Sequence, residues 1–199
     1  MRDYTHDWNQ EFIKNTHQFI EEKFELCLEI GAFEGLTSNY ITDNILLENG
    51  KLVCIDPLSD FYLNDNLSDF DRKRNDNDFS FFKDQYSRFI NNVKDKLETG
   101  KIELIRDLSS NVFENLIKKY ENKFDFIYID GDHRPEGVYI DAINSFKLCK
   151  IGGFILFDDY TWCDTGIGID KFLNEYEGQY TIICKNYQVM IQKLNKYEE

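Results

Sequence analysis

A chain of 199 residues is long enough for one domain with a full core. Its 42% hydrophobic and 16% aromatic content marks a globular sequence and excludes a disordered one. With 37 acids against 23 bases, a net charge of −14, no basic stripe is available to neutralise a phosphate backbone, so no nucleic-acid partner is expected.

The first residues, MRDYTHDWNQEF, are polar, and the apolar runs fall far short of the roughly 20 residues of a membrane span. Neither a leader nor a membrane partner is expected. The five cysteines (Cys27, Cys54, Cys149, Cys163 and Cys184) form no C-x-x-C pair. They read as reduced thiols, three of them in apolar runs, of a cytoplasmic protein.

In chain order, three-to-four spacing of Trp8, Phe12, Ile13, Phe19, Ile20 and Phe24 predicts a helix over 8–24. A short buried strand follows over 26–30, then a turn bracketed by Gly31 and Gly35, a helix over 36–47 and a strand over 52–56 closed by Pro57. Residues 58–80 are rich in Asp and Asn, with scattered aromatics, and read as an insertion: a lid or a dimer contact. Helical spacing resumes over 81–97. Strands are predicted over 102–105, 124–130 and 154–157, and helices over 112–120, from Pro135 to about 149, and over 170–176. Gly152 and Gly153 are expected to end the penultimate helical segment. Residues 180–184 and 189–192 read as a terminal hairpin. Alternating strands and helices imply an α/β fold with a mostly parallel sheet covered on both faces, and the hairpin implies one antiparallel strand. One domain over 1–199, with an N-terminal helical segment 1–23, is expected.

Ligands in open α/β sheets sit beyond the carboxyl ends of the strands. Asp130 closes one apolar strand and Asp158–Asp159 the next. Three carboxylates facing one crevice repel unless a cation or proton joins them, so a hard-metal site is expected, with His133 beside it. The first turn, Glu29-Ile30-Gly31-Ala32-Phe33-Glu34-Gly35, lacks the glycine spacing of a dinucleotide fingerprint, which disfavours NAD. Asp56, at the end of the second strand, is placed to accept hydrogen bonds from a ribose.

Glu29, Gly31 and Gly35 in E-x-G-x-x-x-G, then Asp56, then the IDGDH…GG…DD pattern, resemble class I S-adenosylmethionine-dependent methyltransferases. Within them the chain is similar to small catechol-type, caffeoyl-CoA and macrolide-sugar O-methyltransferases, over roughly residues 24–193. The resemblance implies a Rossmann-like seven-stranded sheet with an antiparallel last strand. It implies S-adenosyl-L-methionine held by Glu29, Gly31, Ala32, Phe33 and Gly35 around the methionine part and by Asp56 at the ribose. Asp107, Leu108 and Ser109 would lie at the adenine, with Asp130 also at the cofactor. Asp130, Asp158 and Asp159 would be ligands of a divalent cation, Mg²⁺ ahead of Mn²⁺ or Ca²⁺. His133 falls at the general base, so Asp130 and His133 are the expected catalytic pair.

The expected activity is metal-assisted methylation of a small hydroxylated acceptor, a sugar or glycan hydroxyl ahead of a catechol-like phenol. Alternatives are a metal-free methyltransferase and a cofactor-binding protein without catalysis. Asp132 is expected to cap the helix at Pro135. Arg134 is expected in a surface ion pair or on a substrate anion, and Trp162 in the core or in a pocket wall. His6 and His17 are expected to be structural or exposed. A homodimer could close the pocket.

Overall fold

The structure is a computed structural model that describes residues 2–58 and 84–195. The insertion expected over 58–80 lies outside the described residues, apart from Leu58.

Helix α1 (Gln10–Phe19) leads into β1 (Phe24–Ile30). Then come α2 (Leu36–Tyr40), a single π-helical turn (Ile41–Ile45) and β2 (Leu46–Ile55). After the undescribed segment, α3 (Gln85–Glu98), β3 (Ile102–Ile105), α4 (Ser109–Tyr120), β4 (Phe124–Ile129), α5 (Pro135–Leu148) and β5 (Cys149–Phe157) alternate. Helix α6 (Thr165–Glu175) and the hairpin β6 (Tyr180–Lys185) and β7 (Val189–Lys193) finish the fold.

The seven strands form one sheet in the order β3-β2-β1-β4-β5-β7-β6. β3, β2, β1, β4 and β5 pair in parallel, and β7 pairs antiparallel with both β5 and β6. Central β4 is buried along its whole length, which is why FDFIYI reads as a continuous run rather than an alternating one. Phe113, Leu116, Val138, Phe146, Ile169 and Phe172 of α4–α6 cover one face of the sheet. Phe12, Ile41, Phe89 and Val93 cover the other. Among the described residues, no helix is long and apolar enough to cross a membrane.

Several boundaries differ from the sequence expectation: the helix expected over 8–24 spans only Gln10–Phe19, and Phe24 opens β1. The helix expected over 36–47 ends at Tyr40; the chain widens into the π-turn, and Leu46 already pairs with Phe24 as strand. The Gly152–Gly153 pair lies inside β5, where the β4–β5 register shifts, instead of ending a helix. Helix α6 begins at Thr165, five residues before the apolar signal, because Gly168 lets it settle on α5: a Cβ there would lie 2.2 Å from the Pro135 carbonyl oxygen.

Gly31 is the tightest point. Its φ is +87°, and a Cβ would lie 2.0 Å from the carbonyl oxygen of Asp130. Gly31→Ala combines a left-handed backbone with a backbone clash, so it is expected to destabilise the fold by about 2 kcal/mol or more. Thermal unfolding of the variant measures this; an unchanged midpoint would contradict the packing described.

Candidate active site

Each parallel strand is stitched to its neighbour by one amide just past the ladder. Asp56 N–H donates to Ile105 O (3.2 Å), Gly31 N–H to Ile55 O (2.9 Å), Asp130 N–H to Ile30 O (2.8 Å) and Asp158 N–H to Ile129 O (2.9 Å). These residues therefore line up along one edge of the sheet, beneath a cavity of about 850 Å³.

On the β1–β2 side, Asp56 braces the turn. Its Oδ2 accepts the amides of Ala32 (2.7 Å) and Phe33 (2.8 Å), and its Oδ1 accepts that of Leu58 (2.7 Å). Burial raises its pKa while these three amides pull it back. Phe33 adopts φ +47°, a strained conformation for a non-glycine residue, and its ring faces the cavity. Trp8 stacks on Phe33 at 5.3 Å and on His6 at 4.0 Å. The segment that carries His6 and Trp8 is pinned by Thr5, whose amide and hydroxyl donate to Glu34 (2.6 and 2.9 Å), and by the Asp3 amide, which donates to Asn92 (2.7 Å).

Gly31, Phe33, Asp56, Asp107, Leu108, Ser109 and Asp130 all line the cavity. Glu29, Ala32 and Gly35 do not. Glu29 is fully buried behind the wall, where it accepts the Ser38 hydroxyl and sits 3.2 Å from the Cys54 thiol. Burial pushes its carboxyl up to about 8. Ala32 is buried, its amide donating to Asp56 and its carbonyl accepting the Gly35 amide (2.8 Å), and Gly35 supplies the left-handed cap of α2.

On the β4–β5 side, the acids separate. His133 Nε2 lies 3.0 Å from Asp159 Oδ2 and 3.3 Å from Asp130 Oδ1. These three residues bring one ligand atom each within 4.8 Å of one another. Asp158 is not in that group. Its Oδ2 accepts the Tyr128 hydroxyl, and its Oδ1 accepts the Asp159 amide (2.7 Å) and the amide side chain of Gln188 (3.0 Å). Burial first, then the charges of Asp130 and Asp159, raise its carboxyl to about 7. Burial raises Asp130 as well, opposed by His133.

Tyr187 donates its hydroxyl to Asp159 and lines the cavity, and Trp162 meets His133 edge-on at 5.4 Å. Trp162 thus stands in the pocket wall. Asp132 pairs with Arg134 and makes no cap at Pro135, and His17 is exposed on α1.

Sequence reasoning missed His6, Trp8, Tyr187 and Asp141 on the cavity. The first two arrive through side-chain contacts at sequence separations near 30 and 90, and Tyr187 arrives through the hairpin turn; neither leaves a local pattern. Asp141 sits at an inward position of α5, where a lone acid in an apolar stripe was the available signal.

This strand order, with its acid-lined crevice, is the fold of the class I S-adenosylmethionine-dependent methyltransferases. The chain belongs to the Methyltransferase domain family, which matches residues 28–160. An uncharacterized protein of Acanthamoeba polyphaga mimivirus is 28% identical over 149 residues. That match takes in 74% of this chain but only 57% of the viral protein's length. Among solved structures, an O-methyltransferase from Bacillus cereus in complex with S-adenosylhomocysteine superposes with a TM-score of 0.64 at 18% identity, over 95% of this chain and 84% of that one. TomG, an O-methyltransferase of Streptomyces achromogenes involved in tomaymycin synthesis and bound to S-adenosylmethionine, gives 0.59 at 16%, over 87% and 74%. A proposed rRNA methylase from Clostridium thermocellum gives 0.63 at 14%, over 97% and 99%.

Glu29 carries a pH signature. Its folded pKa is raised above the unfolded value, so the folded state holds the extra proton between pH 4.5 and about 8. Stability contributed by that proton is present at low pH and falls as pH rises through this window, by up to about 1.4 kcal/mol per pH unit. Glu29→Gln is expected to flatten unfolding free energy against pH between 5 and 8. An unchanged slope in chemical denaturation would show that Glu29 ionises normally.

Proposed function

We propose that this chain transfers the methyl group of S-adenosyl-L-methionine to a hydroxyl of a small acceptor, a sugar or glycan hydroxyl ahead of a phenol, with His133 as the general base. The observation that carries this reading is the imidazole held between Asp130 and Asp159 on the floor of the cavity. A sulfonium methyl is already electrophilic, so the protein's task is to align a nucleophile and take its proton. His133 receives that proton on its imidazole, and the two carboxylates beside Nε2 stabilise the resulting imidazolium. The cofactor reading draws support from the cofactor complexes of the similar structures, and from Gly31 and Asp56 at the same crevice. The aromatic rings of Trp8, Trp162 and Tyr187 on the cavity suit the C–H faces of a sugar ring.

The residues present fit a hard divalent cation, Mg²⁺ first. Asp130 and Asp159 would hold it, while Asp158 would join only by giving up Tyr128 or Gln188. Such an ion would supply positive charge that lowers the pKa of the acceptor hydroxyl. One observation favours a second, metal-free reading: the His133 imidazole already stands between Asp130 and Asp159, where a bridging cation would lie. A small-molecule acceptor also agrees with the net charge of −14, which opposes an RNA acceptor.

Calorimetric titration of S-adenosylmethionine, followed by methyl transfer to a panel of sugars and phenols with Mg²⁺ and with EDTA, tests the proposal. His133→Gln is expected to lower kcat about 100-fold or more while cofactor affinity stays within a few-fold. Full activity in His133→Gln would remove the base assignment. Activity that survives EDTA would select the metal-free reading. Cofactor binding without transfer to any acceptor would leave a binding protein, and tight, salt-sensitive RNA binding would move the acceptor to nucleic acid.

A further inference from the structure

Residues 2–9 form neither helix nor strand, yet they bring His6 and Trp8 to the cavity. Trp8 stands 60% exposed there, so its own burial does little to fix it. The segment is held by polar side chains that are themselves buried. Glu34, only 1% exposed, accepts the Thr5 amide on Oε2 (2.6 Å) and the Thr5 hydroxyl on Oε1 (2.9 Å). Asn92 accepts the Asp3 amide (2.7 Å) and donates to the Asp3 carbonyl (2.8 Å) and the Glu34 carbonyl (3.0 Å). Asn39 donates to the Tyr4 hydroxyl (2.8 Å). Arg88 stands between, 2.9 Å from Asp3 and 3.6 Å from Glu34.

A buried carboxylate is unfavourable unless donors match its oxygens, and a core position is more easily filled by an apolar residue. At position 34 those donors come from Thr5, an exposed residue of the segment. The preceding residue grips the same segment with its ring. Phe33 stacks on Trp8 (5.3 Å), Trp8 stacks on His6 (4.0 Å), and His6 Nδ1 lies 2.9 Å from the Thr5 hydroxyl. Contacts therefore close a circuit from Glu34 through Thr5, His6 and Trp8 back to Phe33. Phe33 is half-buried in the turn, whereas Trp8 is exposed at the cavity beyond it. The turn follows β1, whose neighbour β4 leads to Asp130 and His133 at the reacting end. A ring in this place borders the acceptor.

We infer that Glu34 is a positioning residue for the acceptor: by holding Thr5 it keeps the Trp8 ring at the cavity, and Trp8 is the wall that sets how tightly the acceptor binds. The inference rests on the methyltransferase reading above. It assigns Glu34 no contact with any ligand; the carboxylate acts through Thr5, and the ring that meets the acceptor is that of Trp8. Loss of the Thr5 hydroxyl removes one of the two bonds to Glu34 and the contact that orients His6 beneath Trp8. Acceptor affinity is then weakened, while proton removal at His133 is left alone.

The experiment measures KM and kcat with an acceptor drawn from the sugar and phenol panel, and the calorimetric Kd of S-adenosylhomocysteine, in the whole chain. Trp8→Ala and Thr5→Val are expected to raise KM about 10-fold, with kcat and the S-adenosylhomocysteine Kd each within about threefold of wild type. Thr5→Ser, which keeps the hydroxyl, is expected to retain the wild-type KM. An unchanged KM in Trp8→Ala, or a Thr5→Ser protein as impaired as Thr5→Val, would overturn the inference. So would an equal loss of S-adenosylhomocysteine affinity, which would put the ring on the cofactor. Failure of wild type to methylate any member of the panel would count against the methyltransferase reading instead, and the positioning is then read without an acceptor. In a Trp162→Phe background Trp8 is the sole tryptophan. Thr5→Val is expected to add a fast component to its anisotropy decay that Thr5→Ser lacks; identical decays in the two proteins would overturn the inference.

Discussion

The close contact between the Gly31 backbone and the carbonyl of Asp130 fixes the rest of the site. It allows β1 to end against β4 with no side chain between them, so the four amide stitches past the strand ends fall in line. Parallel strands that finish level present their next residues to the same crevice, and those residues are Asp56, Gly31, Asp130 and Asp158. Asp56 then uses both carboxylate oxygens on the amides of Ala32, Phe33 and Leu58, holding the turn in the shape that the left-handed Phe33 requires. Any ribose contact from Asp56 must share oxygens already engaged in bracing the backbone.

The second constraint is electrostatic. Glu29, Asp56, Asp130, Asp141 and Asp158 are all shifted upward by burial. A sheet edge with this many desolvated acids is less stable than one with apolar residues in their place, and such stored cost is characteristic of functional sites. The protein relieves part of it with neutral donors: Ser38 on Glu29, Ser109 on Asp141, and Tyr128 and Gln188 on Asp158. His133 relieves Asp130 at the reactive end. A ligand that brings donors or positive charge is therefore favoured, and a phosphorylated one is disfavoured.

The mostly parallel sheet and its antiparallel ending were legible because apolar runs of strand length alternate with helical spacing, and because the last two runs are too close together for a crossover. Boundaries were misjudged where tertiary contact overrides local pattern. Leu46 is drawn into β2 by pairing with Phe24, and α6 is extended by the fit of Gly168 against Pro135. The strand-end acids and His133 were legible because they follow apolar strands directly. His6 and Trp8 were not, since their place on the cavity depends on Thr5 finding Glu34 and Asp3 finding Asn92. The carboxyl group of Glu29 was expected on the cofactor but faces away from the cavity, since alternation along β1 sends that side chain toward Ser38 and Cys54.

The pair Asp158–Asp159 shows why adjacent identical residues need not share a role. Asp158 continues the strand, and its side chain turns to Tyr128 and Gln188. Asp159 takes φ +54°, a conformation that aspartate tolerates better than most residues, and this swings its carboxylate toward His133. Gln188 is fully buried and accepts the amide of Asn15, so α1 is connected through Gln188 to Asp158, whose Oδ1 also holds the Asp159 amide. Two residues of the hairpin turn, Tyr187 and Gln188, thus hold one acid each. The antiparallel β7 brings that turn to the carboxyl end of β5, where a parallel strand in its place would bring its own carboxyl end and no returning turn. The reversed last strand is therefore a working part of the site: it delivers the donors that let two neighbouring carboxylates face different ways.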